Sequence, residues 1–271
     1  MIIADKFVYI HMPKTGGTFV TKVLEELHEG GKYGIFENTY KGSHETKHQR
    51  YEDIEYQYGD RLILTTIRSP FDYYVSIYEF GWWKTHPDSM FIDDKMKDLF
   101  PVYPELDFED FIKALNNFDL SPTIPPFIAD LLKRSDTGYV TFLHINYFCK
   151  RPWKVFEGYF EPNSSPKKCI ERINRDSFSP EKNSTFQNNE IAKIHFANMH
   201  NLNEELYNFL LNLDFDPNDI EFIKRRKKIL PWEGGRSENQ DWRNYYSPTS
   251  KKYVSRKEAK FFLMFPEFEE L

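Results

Sequence analysis

The chain has 271 residues, of which 29% are charged and 17% aromatic, and its formal net charge is −6. This length is enough to bury one sizeable core, and the negative charge argues against a nucleic-acid-binding protein. The sequence contains no stretch of about 18 consecutive apolar residues, so we expect no membrane span.

The first motif along the chain is a strand, a tight turn and the start of a helix. The apolar run Phe7–Ile10 stops before Pro13, and a helix-compatible segment covers Phe19–Leu27. Between them lie Lys14 and then a threonine, two glycines and a second threonine, Thr15–Thr18. Adjacent glycines let the backbone aim several N–H groups at one point, and a helix N-terminus adds partial positive charge. The pattern predicts a phosphate-binding loop at the first βα turn.

The order of residues in this loop differs from that of two common kinds of nucleotide site. A triphosphate P-loop has its lysine after the last glycine, whereas Lys14 precedes Gly16 and Gly17. The GxGxxG fingerprint of dinucleotide-binding proteins is absent from the same segment. The order therefore favours a different kind of phosphate-binding loop, and a plain turn remains the alternative.

A second motif follows the next buried strand, predicted over Leu62–Ile67. Arg68 stands at the end of this strand, Ser69 is a favourable N-cap, and Pro70 suits the first helical position. Ser76 then lies about two turns into the helix. An arginine fork and a hydroxyl in these positions are suited to a phosphate monoester.

The rest of the chain predicts further elements. An aromatic- and proline-rich insertion spans about 81–134 and contains a helix over Phe108–Asn116. Val140–Phe148 is an apolar strand candidate, and Asn201–Leu213 has the spacing of an amphipathic helix. A final helix is predicted over Ser255–Phe265.

Together, the two motifs resemble those of sulfotransferases that use 3′-phosphoadenosine 5′-phosphosulfate (PAPS). The loop Pro13–Thr18 is similar to their 5′-phosphosulfate loop, and Arg68, followed eight residues later by Ser76, to their 3′-phosphate motif. The aromatic stretch Trp242–Phe265 is a looser, third match to bacterial members of the family. The resemblance implies a single sulfotransferase domain over 1–271. It also implies an α/β, P-loop-NTPase-like three-layer fold with a central parallel β-sheet flanked by helices.

The resemblance also implies the co-substrate, PAPS, the product 3′,5′-adenosine bisphosphate (PAP), and the residues that bind them. Lys14 is expected to stabilise the bridging oxygen of the leaving phosphate. The expected nucleotide-binding residues are Lys14, Thr15, Gly16, Gly17, Thr18, Phe19, Arg68, Ser76 and Arg236. No metal is expected, because the second strand ends in Arg68 and not in an acidic residue that would organise magnesium.

Histidine is the side chain whose usual pKa best suits a base that takes a proton from the acceptor. His48 lies in the segment KHQRYEDI, which resembles KHxTAxEI in carbohydrate-type and bacterial sulfotransferases, although Arg50 and Tyr51 replace Thr-Ala. His44 is the alternative base. His11, just before the loop, is expected to end the strand.

The expected acceptor is a small molecule or a carbohydrate that offers a hydroxyl or, less readily, an amine. Aromatic residues after the second motif, such as Trp82, either stack on this acceptor or pack the insertion onto the core. We expect a cytoplasmic location, because the first strand leaves no room for a signal peptide. Cys149 and Cys169 form no metal pattern and are expected to be ordinary thiols of a reducing compartment. Two alternatives are a P-loop kinase-like nucleotide enzyme and an inactive nucleotide-binding or interaction protein. The sequence leaves the oligomeric state open.

Overall fold

The computed structural model describes residues 1–40, 47–59, 61–149, 152, 194–227 and 240–269. The described strands are β1 (Ile2–Ala4), β2 (Phe7–Tyr9), β3 (Phe36–Asn38), β4 (Leu62–Ile67) and β5 (Ile194–Asn198). The described helices are α1 (Gly17–His28), α2 (Pro70–Phe80), α3 (Trp82–Thr85), α4 (Pro87–Met90), α5 (Asp93–Leu99), α6 (Phe108–Leu115), α7 (Pro126–Arg134), α8 (Tyr139–Phe148), α9 (Leu202–Leu211), α10 (Pro217–Ile220), α11 (Phe222–Arg225), α12 (Pro248–Lys257) and α13 (Ala259–Met264).

The chain divides into two compact units. The first unit is Met1–Arg68 with Ala192–Glu233, and the second unit is Ser69–Ile191 with Gly234–Leu271. The first unit contains the sheet, and the described part of the second unit is helical. That the whole chain forms one sulfotransferase domain stays a prediction.

The sheet has five strands in the order β3-β1-β2-β4-β5. Strands β2, β4 and β5 are parallel, with Phe7 opposite Leu62 and Ile63 opposite Ile194. Strand β1 is antiparallel to both β2 and β3. The prediction of a parallel sheet is therefore correct for β2, β4 and β5 only. Asp5 and Lys6 alone join β1 to β2, and a parallel connection needs a crossover of a dozen or more residues.

Helix α1 covers the sheet with one apolar face. Its buried residues recur at helical spacing and pack in one cluster with the strands and with α9. The helix contributes Phe19, Val20, Val23, Leu24 and Leu27; the strands contribute Phe7, Tyr9 and Leu64; and α9 contributes Leu206, Phe209 and Leu210. Burial of this face fixes the end of α1 that follows the predicted phosphate loop.

The expected strand at Val140–Phe148 is wrong, because this segment is helix α8. Every residue from Val140 to Phe148 is buried, so the apolar run has no period that would separate a strand from a buried helix. Glu258 settles the conformation, because its carboxylate accepts hydrogen bonds from the first amides of α8, those of Val140 (2.9 Å) and Thr141 (2.8 Å).

Glu258 also divides the predicted final helix. It stands between α12 and α13, which replace the single helix expected over Ser255–Phe265. Besides the two amides of α8, its carboxylate accepts hydrogen bonds from the hydroxyls of Tyr74 (2.5 Å) and Thr141 (2.7 Å). Burial raises the pKa of Glu258, and these donors oppose the shift.

The other predicted helices are present with small changes at their ends. The helix predicted over Phe108–Asn116 is α6, and Asp107 caps it by accepting a hydrogen bond from the Asp110 amide at 2.8 Å. The helix predicted over Asn201–Leu213 is α9. The chain is thus α/β, with a mixed five-stranded sheet flanked by helices. Among the residues described, no helix has both the length and the apolar character to cross a membrane.

Candidate functional site

The predicted phosphate loop lies at the carboxyl edge of the parallel strands. Strands β2 and β4 are neighbours, but the chain leaves β2 for β3 on one side of the sheet and leaves β4 for β5 on the other. The connections after β2 and β4 therefore diverge. Open α/β sheets bind their ligands in the crevice outside such a divergence.

The backbone of the loop is sharply turned. Gly16 has a φ of 96° and is the N-cap of α1, and Lys14 has a φ of 64°. The left-handed region suits glycine and costs a lysine roughly 1–2 kcal/mol. Gly17 and Thr18 follow at the first two helical positions, whose amides have no carbonyl one turn earlier to bond. These amides are suited to an anion.

Thr15 anchors the loop to the sheet. It is fully buried, and its hydroxyl donates to the Met12 carbonyl (2.9 Å) and lies 2.6 Å from the hydroxyl of Thr66 on β4. The Thr15 side chain is thus committed to the protein interior. In the predicted nucleotide site, Thr15 would therefore contribute its backbone and not its hydroxyl.

The two glycines of the loop are also required by packing. A Cβ atom on Gly17 would lie 2.2 Å from the imidazole of His11, and one on Gly16 would lie 2.9 Å from Cδ2 of Leu202. His11 is 6% exposed, so its ring is held between the loop and the protein interior. The loop therefore fits its position closely even before any ligand is considered.

Arg68 bridges from the end of β4 to the loop. Its Nη1 donates a hydrogen bond of 2.9 Å to the carbonyl oxygen of Lys14. Arg68 is 8% exposed, and a guanidinium has five N–H donors in a rigid fork. The residues predicted for the two phosphate motifs, Lys14 and Arg68, are thus direct neighbours in the first unit.

His48, the predicted base, lies beside the same loop. Its Nδ1 is 2.9 Å from the carbonyl oxygen of His11, and the two imidazole rings meet edge to face with centroids 4.9 Å apart. A carbonyl only accepts, so Nδ1 carries the proton and the neutral ring has its lone pair on Nε2. A backbone carbonyl thereby fixes the tautomer that a general base requires. Burial lowers the pKa of the preceding Lys47.

Several predicted site residues lie elsewhere or outside the description. His44 and Arg236 are outside the described residues. Ser76 is buried on α2 in the second unit. Phe19 packs in the core cluster, and its amide donates to the Gly16 carbonyl at 3.0 Å. Its binding role stays a prediction, as does that of Ser76.

The aromatic residues of the insertion mostly pack the interior. Trp83, Phe91 and Tyr103 are buried, whereas Trp82 is 38% exposed and stacks on His86 with centroids 3.7 Å apart. The packing interpretation therefore holds for the first three. Trp82 is the one of these four with an exposed ring.

Two residues of the loop's surroundings have roles that the motifs did not indicate. Thr66 bonds the loop from within β4, and His11 supports Gly17 with its ring and His48 with its carbonyl. A signal for Thr66 was present, because polar threonines inside a buried apolar strand need hydrogen-bond partners. His11 had only its place directly before the loop as a signal.

Comparison with protein-family models, curated proteins and solved structures found no significant match. The functional interpretation of the chain therefore depends on the geometry of its own residues. That geometry joins a positively charged loop, a buried arginine and a histidine of fixed tautomer at the carboxyl ends of two parallel strands of the mixed sheet.

Proposed function

We propose that the chain is a PAPS-dependent sulfotransferase on a P-loop-NTPase-like fold. It would move a sulfuryl group from PAPS to a hydroxyl or, less readily, an amine of a small molecule or carbohydrate in the cytoplasm. The observation that carries the proposal is the hydrogen bond from Arg68 to the Lys14 carbonyl. This hydrogen bond holds Arg68 against the loop that carries Lys14. It therefore supports the proposal that the two cations bind one nucleotide.

Each part of the loop has a distinct task in this proposal. The amides of Gly17 and Thr18 and the Thr18 hydroxyl bind the 5′-phosphate, where the partial positive charge of α1 is strongest. Lys14 neutralises the charge that develops on the bridging oxygen as the sulfuryl group departs. Arg68 binds the 3′-phosphate, and Ser76 remains its predicted second ligand.

In sulfuryl transfer, as in phosphoryl transfer, the protein mainly positions the reactants and neutralises charge. His48 takes the proton of the acceptor hydroxyl on Nε2. The acceptor oxygen forms a bond to sulfur, and the bond from sulfur to the bridging oxygen breaks, so that PAP leaves with the electron pair. His44 remains the alternative base and Arg236 an additional nucleotide ligand.

The test compares nucleotide binding and transfer in matched variants. Calorimetry should detect binding of PAP, and ATP with magnesium should bind more weakly, since a P-loop kinase would show the reverse order. Lys14→Ala should abolish sulfuryl transfer from labelled PAPS to any acceptor or to water. The matched control is Lys22→Ala, which removes an exposed lysine of α1 that pairs with Glu25.

Three results would contradict the proposal. The first is an absence of PAP binding by the folded chain. The second is tighter binding of ATP with magnesium than of PAP. The third is transfer that survives in Lys14→Ala at the rate of Lys22→Ala. PAP binding without any transfer would instead identify an inactive nucleotide-binding protein.

A further inference from the structure

A cavity of about 270 Å³ lies in the first unit at the far end of α1. Helix α1 starts in the predicted phosphate loop, is 12 residues long and ends at His28, which lines this cavity. At 1.5 Å per residue the two ends of the helix are about 17 Å apart. The cavity is therefore distinct from the nucleotide site proposed above and does not depend on it.

His28 lines this cavity and has an unused hydrogen-bond acceptor. The side chain is 6% exposed, and its Nδ1 is 2.8 Å from the carbonyl oxygen of Leu24, so Nδ1 carries the proton. Burial lowers the pKa of His28, which keeps the ring neutral. Within the described part of the chain, Nε2 is buried and has no hydrogen-bond partner. A buried acceptor without a donor is costly, and a ligand N–H would satisfy it.

The donors around the cavity are already engaged. Lys6 donates to the Leu213 carbonyl and lies 3.8 Å from the Asp214 carboxylate. Lys32 donates to the Asp219 carboxylate. The Tyr33 hydroxyl donates to that same carboxylate. An anionic ligand would have to compete for these groups.

Lys6 and Lys32 line the cavity together with Asp5, and both lysines are paired with carboxylates beside it. Lys6 lies near Asp214, and Lys32 near Asp216 and Asp219. With these partners, four carboxylates surround two ammonium groups, so the local charge is negative. Asp5 lines the cavity, and its charge acts on His28, whose pKa it raises against the larger effect of burial. The carboxyl end of α1 adds partial negative charge at His28. The lining thus favours a ligand that brings positive charge and N–H donors.

The aromatic lining has the matching chemistry. The rings of Tyr33 and Phe215 lie with centroids 4.5 Å apart. An ammonium already lies over each of them, Lys6 at 5.8 Å from the Phe215 centroid and Lys32 at 5.4 Å from that of Tyr33. A ligand ammonium would use the same attraction and would take the place of one of these lysines over its ring.

We propose that this cavity binds a small organic cation, an ammonium group carried on a compact aromatic or apolar body. The ammonium donates a hydrogen bond to Nε2 of His28 and meets the charge of Asp5. The apolar body packs against Tyr33 and Phe215. The volume suits a ligand of about one ring with a short arm.

The test uses three probes of one shape and different charge: benzylamine, which is protonated near neutral pH, benzyl alcohol and benzoate. Calorimetry and the imidazole resonances of His28 report binding to the full chain. Benzylammonium should bind at least about tenfold more tightly than either of the other two, since charge-assisted hydrogen bonds are about twice as strong as neutral ones. Equal binding of all three, tighter binding of benzoate, or no binding would overturn the proposal.

Two variants locate the site. Asp5→Asn, at an exposed position, should weaken benzylammonium binding about threefold or more while leaving benzyl alcohol unaffected. His28→Phe keeps an aromatic ring but removes the hydrogen-bond acceptor, and should weaken the binding of benzylammonium about tenfold. His200→Phe, which changes an exposed histidine of the same unit, should change nothing. If His28→Phe does not fold, the Asp5→Asn result decides. Benzylammonium binding by a chain that fails to bind PAP would still support the cavity.

Discussion

Arg68 has two roles in the proposed site, and one experiment separates them. Its guanidinium supports the loop through the 2.9 Å hydrogen bond to the Lys14 carbonyl, and it is proposed to bind the 3′-phosphate of the nucleotide. In Arg68→Ala the partly buried carbonyl of Lys14 loses its charged donor. A hydrogen bond to a charged group contributes about 1.5–3 kcal/mol, so we expect the free energy of unfolding to fall by about 2 kcal/mol.

The binding role is measured with two nucleotides. PAP carries the 3′-phosphate and AMP lacks it, so the ratio of their affinities reports contacts to that phosphate alone. If the hydrogen bonds from the guanidinium to the 3′-phosphate contribute about 1.5–3 kcal/mol to the binding free energy, PAP should bind roughly 10- to 150-fold more tightly than AMP. We expect Arg68→Ala to reduce this preference to nearly one, as measured by calorimetry, and to weaken AMP less.

Arg61 is the matched control for the structural role. It lies at the opposite end of β4 and donates to the backbone carbonyl of Ala4. Arg61→Ala should therefore lower the free energy of unfolding by a similar amount and leave the preference for PAP unchanged. If Arg68→Ala also leaves that preference unchanged, Arg68 supports the loop only, and its assignment to the 3′-phosphate is wrong.

Three further predictions concern the loop, the base and the second unit. His48→Ala should slow single-turnover transfer about 10²-fold or more with unchanged PAP affinity, and an unchanged rate would favour His44. Gly17→Ala should lower the free energy of unfolding in urea by about 1–3 kcal/mol because its Cβ meets the His11 ring at 2.2 Å. Gly59→Ala is the control: its Cβ would lie 3.3 Å from the nearest atom, so it should lower the free energy of unfolding by less. Burial raises the folded-state pKa of Glu258 above 4.5, so the folded state holds the extra proton. The stability of the wild type relative to Glu258→Gln should therefore be highest below pH 4.5 and fall as the pH rises through the folded-state pKa. If urea unfolding shows the same stability difference between the wild type and Glu258→Gln at every pH, the assigned pKa shift of Glu258 is wrong.

The parts of the fold that sequence predicted correctly are those with local signals. Strands β2 and β4 are short apolar runs with clear breaks, and α1 begins directly after a glycine pair. Strands β1 and β3 were missed. Strand β1 has three residues, as β2 does, but no glycine-containing turn and helix start follow it, and the three residues of β3 are not fully buried and show no period. Their antiparallel pairing made the sheet mixed.

Helix α8 could not be predicted because its conformation depends on a distant residue. The segment is buried throughout, so local pattern favours neither helix nor strand. The donors of its first turn bond the carboxylate of Glu258, more than a hundred residues later in the chain. Only the tertiary contact identifies Glu258 as the cap of this helix.

For the candidate site, the sequence predicted which residues meet but not how they bond. Parallel neighbouring strands bring their carboxyl ends to one edge, so the proximity of Lys14 and Arg68 followed from the strand assignments. The hydrogen bond between the guanidinium and the loop carbonyl did not follow, because backbone carbonyl directions depend on the φ values of the loop. The tautomer of His48 is set in the same way by the carbonyl of His11.

The left-handed backbone at Lys14 bears on the proposed role of this lysine. Gly16 and Gly17 have steric reasons to be glycine with or without a ligand, so the glycine pair alone is weak support for a phosphate site. Lys14, at a φ of 64°, occupies a conformation in which glycine would avoid a cost of roughly 1–2 kcal/mol. Conformations of this kind persist where the surrounding structure determines them and cluster at binding sites, so the backbone at Lys14 supports the proposed role of its charge.

The comparison of Lys14→Gly with Lys14→Ala tests this argument. Both variants lose the ammonium and should lose transfer. Lys14→Gly removes the backbone strain but gains conformational freedom in the unfolded chain, so it should exceed Lys14→Ala in free energy of unfolding by about 0.5–1 kcal/mol. Equal stability of the two variants in urea would mean that the backbone there is unstrained. Lys14 would then have no structural cost for its charge to offset.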